Sequence, residues 1–387
     1  MEQLGKIVLD LPPASGNPRN SEGAFLELED GRLLFAYSRF MGESYDDTAK
    51  ACIAVCYSAD EGSTWSEPRV IARPEDHDAM NIMSTSLLHM QKGDIGLFYL
   101  IRYGWHDLRL HLRRSSDAGD TWSDPICCIP GMGYFVTNND RVVRLSSGRL
   151  IVPAGYHKLK GESMTDWKSF DGRAITCFFL SDDDGLTWRE SRNFCALISP
   201  HSHSGLQEPG LIELRKDVLW AWARTDMGRQ YEMFSFDGGE TWSEAGASGF
   251  TSPNSPLSMK RIPGCDCLMA VWNPIPNYAT RPLEKHSWGR TPLIGAISKD
   301  NGRTWERHFA LEREENHGGY CYTAIHFTGA SVLLAYCAGE PEDGICLSRL
   351  KVRKIPLASI LVETGCDSSE QTGKKEAVLH VDTAFYR

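Results

Sequence analysis

The chain has 387 residues, 10% of them aromatic, with 35 glycines, 12 cysteines and a formal net charge of −10. That acidity argues against a nucleic-acid partner and supplies no attraction to anionic membranes. No stretch approaches the roughly 18 apolar residues of a membrane-spanning helix.

The opening residues, Met1 to Asp10, lack a basic region followed by a long apolar run, so they do not read as a secretory leader. A cytoplasmic location is expected, with a secreted mature form left open. Val8–Leu11 is a candidate strand. From Ala24 to Tyr37 two apolar strands flank a turn at Asp30-Gly31. A third strand, Cys52–Tyr57, runs into the octapeptide Ser58-Ala-Asp-Glu-Gly-Ser-Thr-Trp65.

That octapeptide recurs. Ser115–Trp122, Ser181–Trp188, Ser235–Trp242 and Ser298–Trp305 all fit Ser-x-Asp-x-Gly-x-Thr-Trp, at a period near 60 residues. Asp bonds nearby backbone and Gly accepts positive φ, so each copy predicts a tight turn; the Thr-Trp pair is expected to open the next strand. Strands lead into the later copies at Leu108–Arg114, Ala174–Leu180, Tyr231–Phe234 and Leu293–Ile297. Upstream strand pairs like the first lie at Arg141–Ala154 and Gly210–Ala223, and related runs begin near Ser84, Pro256 and Thr323.

The third unit carries an insertion, Lys158–Phe170, read as a loop over a pocket. The sixth, about 318–356, lacks the octapeptide and offers Tyr322–Phe327, Ser331–Tyr336 and Ile345–Val352. Beyond Ile360, Gly365–Lys375 reads as a loose loop and Ala377–Tyr386 as an edge strand. Four strands per unit over six units predict an all-β, six-bladed β-propeller of four-stranded antiparallel blades. Residues 1–387 then form one domain, with blades over about 15–356 and a tail over 357–387.

The scattered cysteines, such as Cys52, Cys56, Cys177 and Cys346, sit in apolar runs and read as buried free thiols. Cys265-Asp-Cys267 has no second pair at metal-ligand spacing, so no metal and no cofactor are expected.

In a propeller the starts of the innermost strands converge on one face, where a ligand binds by default. Here they read Arg19–Gly23, Asn81–Ser84, Asn138–Arg141, Leu206–Pro209, Ser252–Pro256 and Tyr320–Thr323. Buried ionisable groups are costly unless paired, so this density of polar residues points to a ligand. His157, His201 and His203 are further candidates for proton transfer.

The octapeptides, with Gln207-Glu208-Pro209 and Ala223-Arg224-Thr225, resemble the sialidase (neuraminidase) superfamily over roughly residues 15–355. The chain resembles its bacterial exo-α-sialidase-like branch, where phrases like Leu206-Gln-Glu-Pro-Gly210, Arg290-Thr-Pro-Leu293 and Cys321-Tyr-Thr-Ala-Ile325 recur. The resemblance implies a retaining exo-α-sialidase releasing a terminal nonulosonic acid from a sialylated or other acidic glycan. A neutral phenol suits an anionic sugar as nucleophile, and paired arginines match its carboxylate.

Carried over residue by residue, the resemblance makes Tyr322 the nucleophile and Glu208 its base, with Tyr320 a near neighbour of the former. Arg224 and Arg290 become carboxylate ligands, with Arg281 a poorer candidate for the latter place. Two positions depart from the family's pattern. Ser21 and Cys52 stand where its first arginine and its acid are expected. Arg19 or Arg39 are candidates for the first. Asp47, Asp46, Glu22 or Asp140 are candidates for the second. Gln207, Asp140 and Arg141 complete the predicted substrate-binding set. A hydrolase for another acidic sugar and a carbohydrate-binding propeller without turnover remain as alternatives.

Overall fold

A computed structural model describes residues 4–160, 169–276, 286–313 and 318–361. The fold is all-β with almost no helix, built from antiparallel sheets. In chain order, β1 (Lys6–Leu11) is followed by a sheet of β2 (Asn20–Glu27), β3 (Leu33–Phe40), β4 (Ala51–Ser58) and β5 (Arg69–Ala72). Next come β6 (Asn81–His89), β7 (Ile95–Gly104), β8 (Asp107–Ser115) and β9 (Ile126–Cys127), paired in that order. The short β10 (Tyr134–Val136) pairs with β8 in parallel and with β12 of the following group antiparallel. That group is β11 (Val143–Arg144), β12 (Leu150–Leu159), β13 (Phe170–Ser181) and β14 (Arg189–Glu190), so the two groups form one nine-stranded sheet.

Two further four-stranded sheets follow. One holds β15 (Gln207–Arg215), β16 (Val218–Arg224), β17 (Arg229–Ser235) and β18 (Gly246–Thr251). The other holds β19 (Ser258–Arg261), β20 (Leu268–Trp272), β21 (Leu293–Ser298) and β22 (Glu306–Glu312). The last contains β23 (Gly319–Phe327), β24 (Ser331–Gly339) and β25 (Leu350–Pro356), and β1 completes it by pairing with β25, Leu11 opposite Leu350. The two ends of the repeat are therefore tied in one sheet, as the Val8–Leu11 reading anticipated.

Apolar side chains fill the spaces between successive groups. Leu34 and Val55 pack with Ile82 and Leu97, Ile151 and Phe178 with Leu219 and Met233, and Trp220 with Met259 and Ala270. Met269 packs with Leu334. Phe35 packs with Leu333 and Val352, placing the first group against the last. Each middle strand is covered on both faces, which explains unbroken apolar runs such as Leu33–Tyr37 where a half-exposed strand would alternate.

Each octapeptide is a side-chain-bonded turn. In the first, Ser58 Oγ donates to Asp60 Oδ1 (2.8 Å) and accepts from Gly62 N (2.8 Å), while Asp60 accepts from Thr64 N (2.8 Å) and Thr64 Oγ1 (2.7 Å). Asp117, Asp183, Asp237 and Asp300 accept the corresponding threonine bonds. The strand after each turn starts later than Thr-Trp, at Arg69, Ile126, Arg189, Gly246 and Glu306. The indole is held in the turn instead, and in three copies its Nε1 donates to the turn glycine's carbonyl. Two other boundaries shift. β13 already begins at Phe170, and Ile345 precedes β25, which begins at Leu350. The inserted segment 161–168 and the tail runs Gly365–Lys375 and Ala377–Tyr386 lie outside the described residues.

Candidate active site

Five residues at or just before the inner strands share one backbone conformation. Glu22, Ser84, Asp140, Glu208 and Tyr322 all have φ between 47 and 60°. A left-handed conformation is uncommon in non-glycine residues and persists only where its surroundings hold it. At Glu22, Ser84, Glu208 and Tyr322 it coincides with a shift in pairing register against the neighbouring strand. Such a bulge breaks the in-out alternation and re-aims one side chain. Glu22, rather than Ser21, is thus the first strand's counterpart of Glu208 and Tyr322.

The bulges bring three distant segments together. Tyr322 Oη donates to Glu208 Oε1 at 3.0 Å, both residues under 10% exposed. Arg224, at the end of β16, sets Nε 3.0 Å from Glu208 Oε2, an ion pair without in-line hydrogen-bond geometry. Arg290 stacks its guanidinium over the Tyr322 ring at 5.3 Å and the Trp288 ring at 4.9 Å. Arg224 Nη1 and Arg290 Nη2 both donate to one acceptor, the Asn254 carbonyl, each at 3.4 Å. Two cations therefore converge beside a phenol–carboxylate pair. Burial and the Glu208 charge push the Tyr322 phenol well above its usual range, so the proton rests on tyrosine.

A second cluster is centred on Arg19, which is 1% exposed and stacked on Phe40 at 4.3 Å. It donates through Nε to Ser21 Oγ (2.9 Å), through Nη1 to Asp47 Oδ1 (2.6 Å) and through Nη2 to Glu22 Oε1 (3.4 Å). Ser84 Oγ donates to Glu22 Oε2 (2.9 Å). Burial raises the Glu22 carboxyl to about 7 against the pull of Arg19. Enclosure would raise Asp47 as well, but its side chain is 55% exposed and the Arg19 contact holds it below the ordinary range. Arg19 is thus shared between two carboxylates that differ in their hold on a proton.

The other candidates stand apart from these clusters. Arg39 follows the alternation of β3 onto the face opposite Ser38 and Phe40, near Cys52 and Tyr37. Asp140 is taken by Lys260 Nζ (2.7 Å) and the Ile325 amide (3.0 Å), and Arg141 donates to the Leu257 carbonyl (2.7 Å). Gln207 borders the first cluster, donating to the Gly172 carbonyl (2.9 Å) and accepting from Asn254 Nδ2 (3.5 Å). Asp46 is exposed and bonds Ser44. Tyr320 packs edge-on to Tyr336 at 6.5 Å. His157 is buried against Phe170, and burial lowers it to about 4; His201 and His203 are exposed. Arg281 lies outside the described residues.

Sequence reasoning missed Arg102 and gave Asn254 and Cys321, within the strand entries Ser252–Pro256 and Tyr320–Thr323, no role of their own. Arg102, at the end of β7, donates to Tyr134 Oη (3.0 Å) and the Asp47 carbonyl (3.4 Å), and its Nε and Nη1 are buried without a hydrogen-bond partner among the described residues. It pairs across from Asn81 as Arg224 does from Gln207, so the strand register could have flagged it. Asn254 supplies the shared carbonyl. Cys321 accepts from Arg290 Nη1 at 3.2 Å in a buried group with Cys337 and Cys346. Burial opposes ionisation of Cys321, yet the neighbouring thiols and Arg290 bring it well below its usual range. Among the described residues no His, Cys, Asp and Glu group is arranged to hold a metal. All eleven described cysteines are free thiols.

The family model for the BNR repeat-like domain matches residues 31–333. The chain belongs to the BNR repeat-like domain family. No curated protein matches this BNR repeat-like chain in sequence. Among solved structures it is similar to the Hadza microbial sialidase Hz136, with TM-score 0.68 and 18% identity, covering 89% of this chain and 67% of that one. It is also similar to the NanB sialidase from Streptococcus pneumoniae, with TM-score 0.68 and 15% identity over 93% and 72% of the two chains. The intramolecular trans-sialidase from Ruminococcus gnavus gives TM-score 0.66 and 15% identity over 92% and 98%. At these identities the likeness establishes a shared all-β, sialidase-like fold.

Proposed function

We propose that this BNR repeat-like protein is a retaining exo-glycosidase of sialidase type, acting on a terminal nonulosonic acid. The observation that carries the reading is the 3.0 Å contact between Tyr322 Oη and Glu208 Oε1 beside the converging Arg224 and Arg290. The reading includes closure of the sheets into a six-bladed propeller within one domain. The pairing of β1 with β25 and the packing of Phe35 on Leu333 support that closure.

Tyr322 Oη attacks the anomeric carbon while Glu208 takes the phenol proton and the glycosidic C–O bond breaks. Asp47, kept ionised by Arg19 at the open side of that cluster, orients the water that gives the leaving oxygen its proton. A second water then displaces the tyrosine oxygen with Asp47 as base, Glu208 returns the proton to Tyr322, and two inversions leave the configuration retained. Arg224 and Arg290 hold the sugar carboxylate at the place where both meet the Asn254 carbonyl. Arg19 steadies Asp47 and Glu22 rather than completing a three-arginine clamp.

Glu22 favours a second reading, hydrolysis of a different acidic sugar. A carboxyl at the first bulge offers a hydrogen bond to a hydroxyl or amide where a third cation would seize a carboxylate. Wild-type enzyme should release fluorophore from a 4-methylumbelliferyl α-sialoside, and Tyr322→Phe should not. Equal rates would sink the mechanism. Activity on a uronide alone would favour the second reading.

A further inference from the structure

A separate cavity of about 460 Å³ opens between the β15–β18 sheet and the β19–β22 sheet. That size falls within the range of small-molecule sites. Trp220, Phe250, Trp272 and Trp305 form its walls, with Glu232 among them and Arg303 and His308 at its exposed rim. The rings are mutually tilted rather than stacked flat. Phe250 lies 5.1 Å from both Trp272 and Trp305, at 86° and 61°, and His308 is 6.0 Å from Trp272.

Comparison among the repeats shows that this junction is unusual. The turn glycine of an octapeptide packs on an aliphatic side chain in three copies: Gly62 on Leu333, Gly185 on Leu112 and Gly239 on Ile151. In the second copy Gly119 meets the Tyr57 hydroxyl. In the fifth, Gly302 lies against the face of Trp220, so close that an added Cβ would fall 2.3 Å from that ring. Trp122, Trp188 and Trp242 tie their indoles to the turn carbonyl, and neither Trp65 nor Trp305 makes such a bond among the described residues, so it is the Gly302–Trp220 contact that sets the fifth copy apart. A structural turn element has become one wall of an aromatic cavity.

The polar groups suit a hydroxylated ligand. Glu232 Oε2 accepts from Trp220 Nε1 at 3.0 Å, which fixes the carboxylate and leaves Oε1 without a hydrogen bond among the described residues. Trp272 is 6% exposed and its indole N–H has no hydrogen-bond partner among the described residues. Aromatic faces carry negative charge and take the C–H face of a sugar ring, while a fixed carboxylate accepts from its hydroxyls. A quaternary cation fits less well, because Arg303 and His308 stand at the mouth. An acidic sugar would meet Glu232 inside.

We propose that this cavity is a second carbohydrate site, which takes a neutral sugar residue and is independent of the Tyr322 chemistry. Trp220 lies four residues before Arg224 on β16, roughly 13 Å along the strand. One glycan could therefore be held by its neutral part while its acidic end lies elsewhere.

The test is a titration of the full chain with lactose, maltose and cellobiose, read by tryptophan fluorescence and by saturation-transfer NMR. At least one disaccharide should bind saturably, equally well in wild type and Tyr322→Phe. Glu232→Gln and Trp305→Ala should each weaken it about tenfold or more, roughly the value of one good polar or aromatic contact. His308→Ala changes only an exposed rim residue and should weaken binding in a folded protein even if Trp305→Ala unfolds. Absence of binding by all three sugars overturns the proposal. So does binding unchanged in Glu232→Gln and His308→Ala, or saturable quenching by tetramethylammonium in place of the sugars.

Discussion

Tyr322 and Glu208 lie 114 positions apart in the chain and meet at 3.0 Å, each on a left-handed residue at the start of an inner strand. The contact joins a buried phenol to the carboxylate that can relieve it of a proton. Tyr322→Phe should abolish turnover of an aryl sialoside with little loss of fold, since only one hydroxyl goes. Glu208→Gln should keep the shape and slow the reaction by about 10²–10⁴-fold, the usual worth of a positioned base. Single-turnover kinetics on both variants decide the matter, and a Glu208→Gln rate near wild type would remove Glu208 from the chemistry.

On the proposed reading Arg224 has two jobs, and its removal should separate them. It neutralises Glu208, and both side chains are near 10% exposed. Arg224→Ala leaves that carboxylate buried beside Tyr322, which should cost about 3–5 kcal/mol of stability. Arg224→Lys keeps a charge but not the planar fork, so stability should largely return while affinity for a carboxylate-bearing inhibitor stays weakened. Denaturant melts and inhibitor titrations on the two variants should therefore diverge; parallel losses would contradict a clamp role.

The fold was legible in the sequence because its signals are local. Each octapeptide encodes its own turn through Ser58–Asp60–Thr64 bonds or their equivalents, and those turns phase the strands. Tyr322, Glu208, Arg224 and Arg290 were picked out by the resemblance of the phrases around them to sialidases, and the structure brings the four side chains together. Arg102 was not singled out, and Asn254 only as part of the Ser252–Pro256 strand entry, because their contacts come from cross-strand register and a backbone carbonyl. Nor could spacing show that Arg19 would be absorbed by Asp47 and Glu22, because that depends on how the 41–50 loop folds back.

Glu22 should give the protein an inverse pH dependence of stability. Its carboxyl stands at about 7 in the fold against an ordinary 4.5, mainly through burial. Between those values the folded protein binds the extra proton, so stability is fully present below about 4.5 and falls as pH rises through about 7. The shift corresponds to roughly 3 kcal/mol at most, at about 1.4 kcal/mol per unit. Glu22→Gln should flatten the loss in thermal melts taken between acid and neutral pH. A slope that survives the substitution would assign the titration to another group.

The octapeptide aspartates should act at the opposite end of the pH scale. Asp60 and Asp300 are drawn down to about 2 by hydrogen bonds from threonine N–H and hydroxyl groups, and Asp183 and Asp237 are lowered too. A depressed carboxyl contributes stability above its unfolded value of 3.8, and that contribution disappears as pH falls toward 2. Acid unfolding should therefore set in below about pH 4 and reflect several turns at once. Asp60→Asn keeps the shape but loses the charge-assisted bonds, so it should lower stability near neutrality and weaken the acid dependence. The turns lie far along the strands from Tyr322, so kcat on any accepted sugar should hold steady in this variant. A fall in kcat with unchanged melting would place the turn in the reaction rather than in the scaffold.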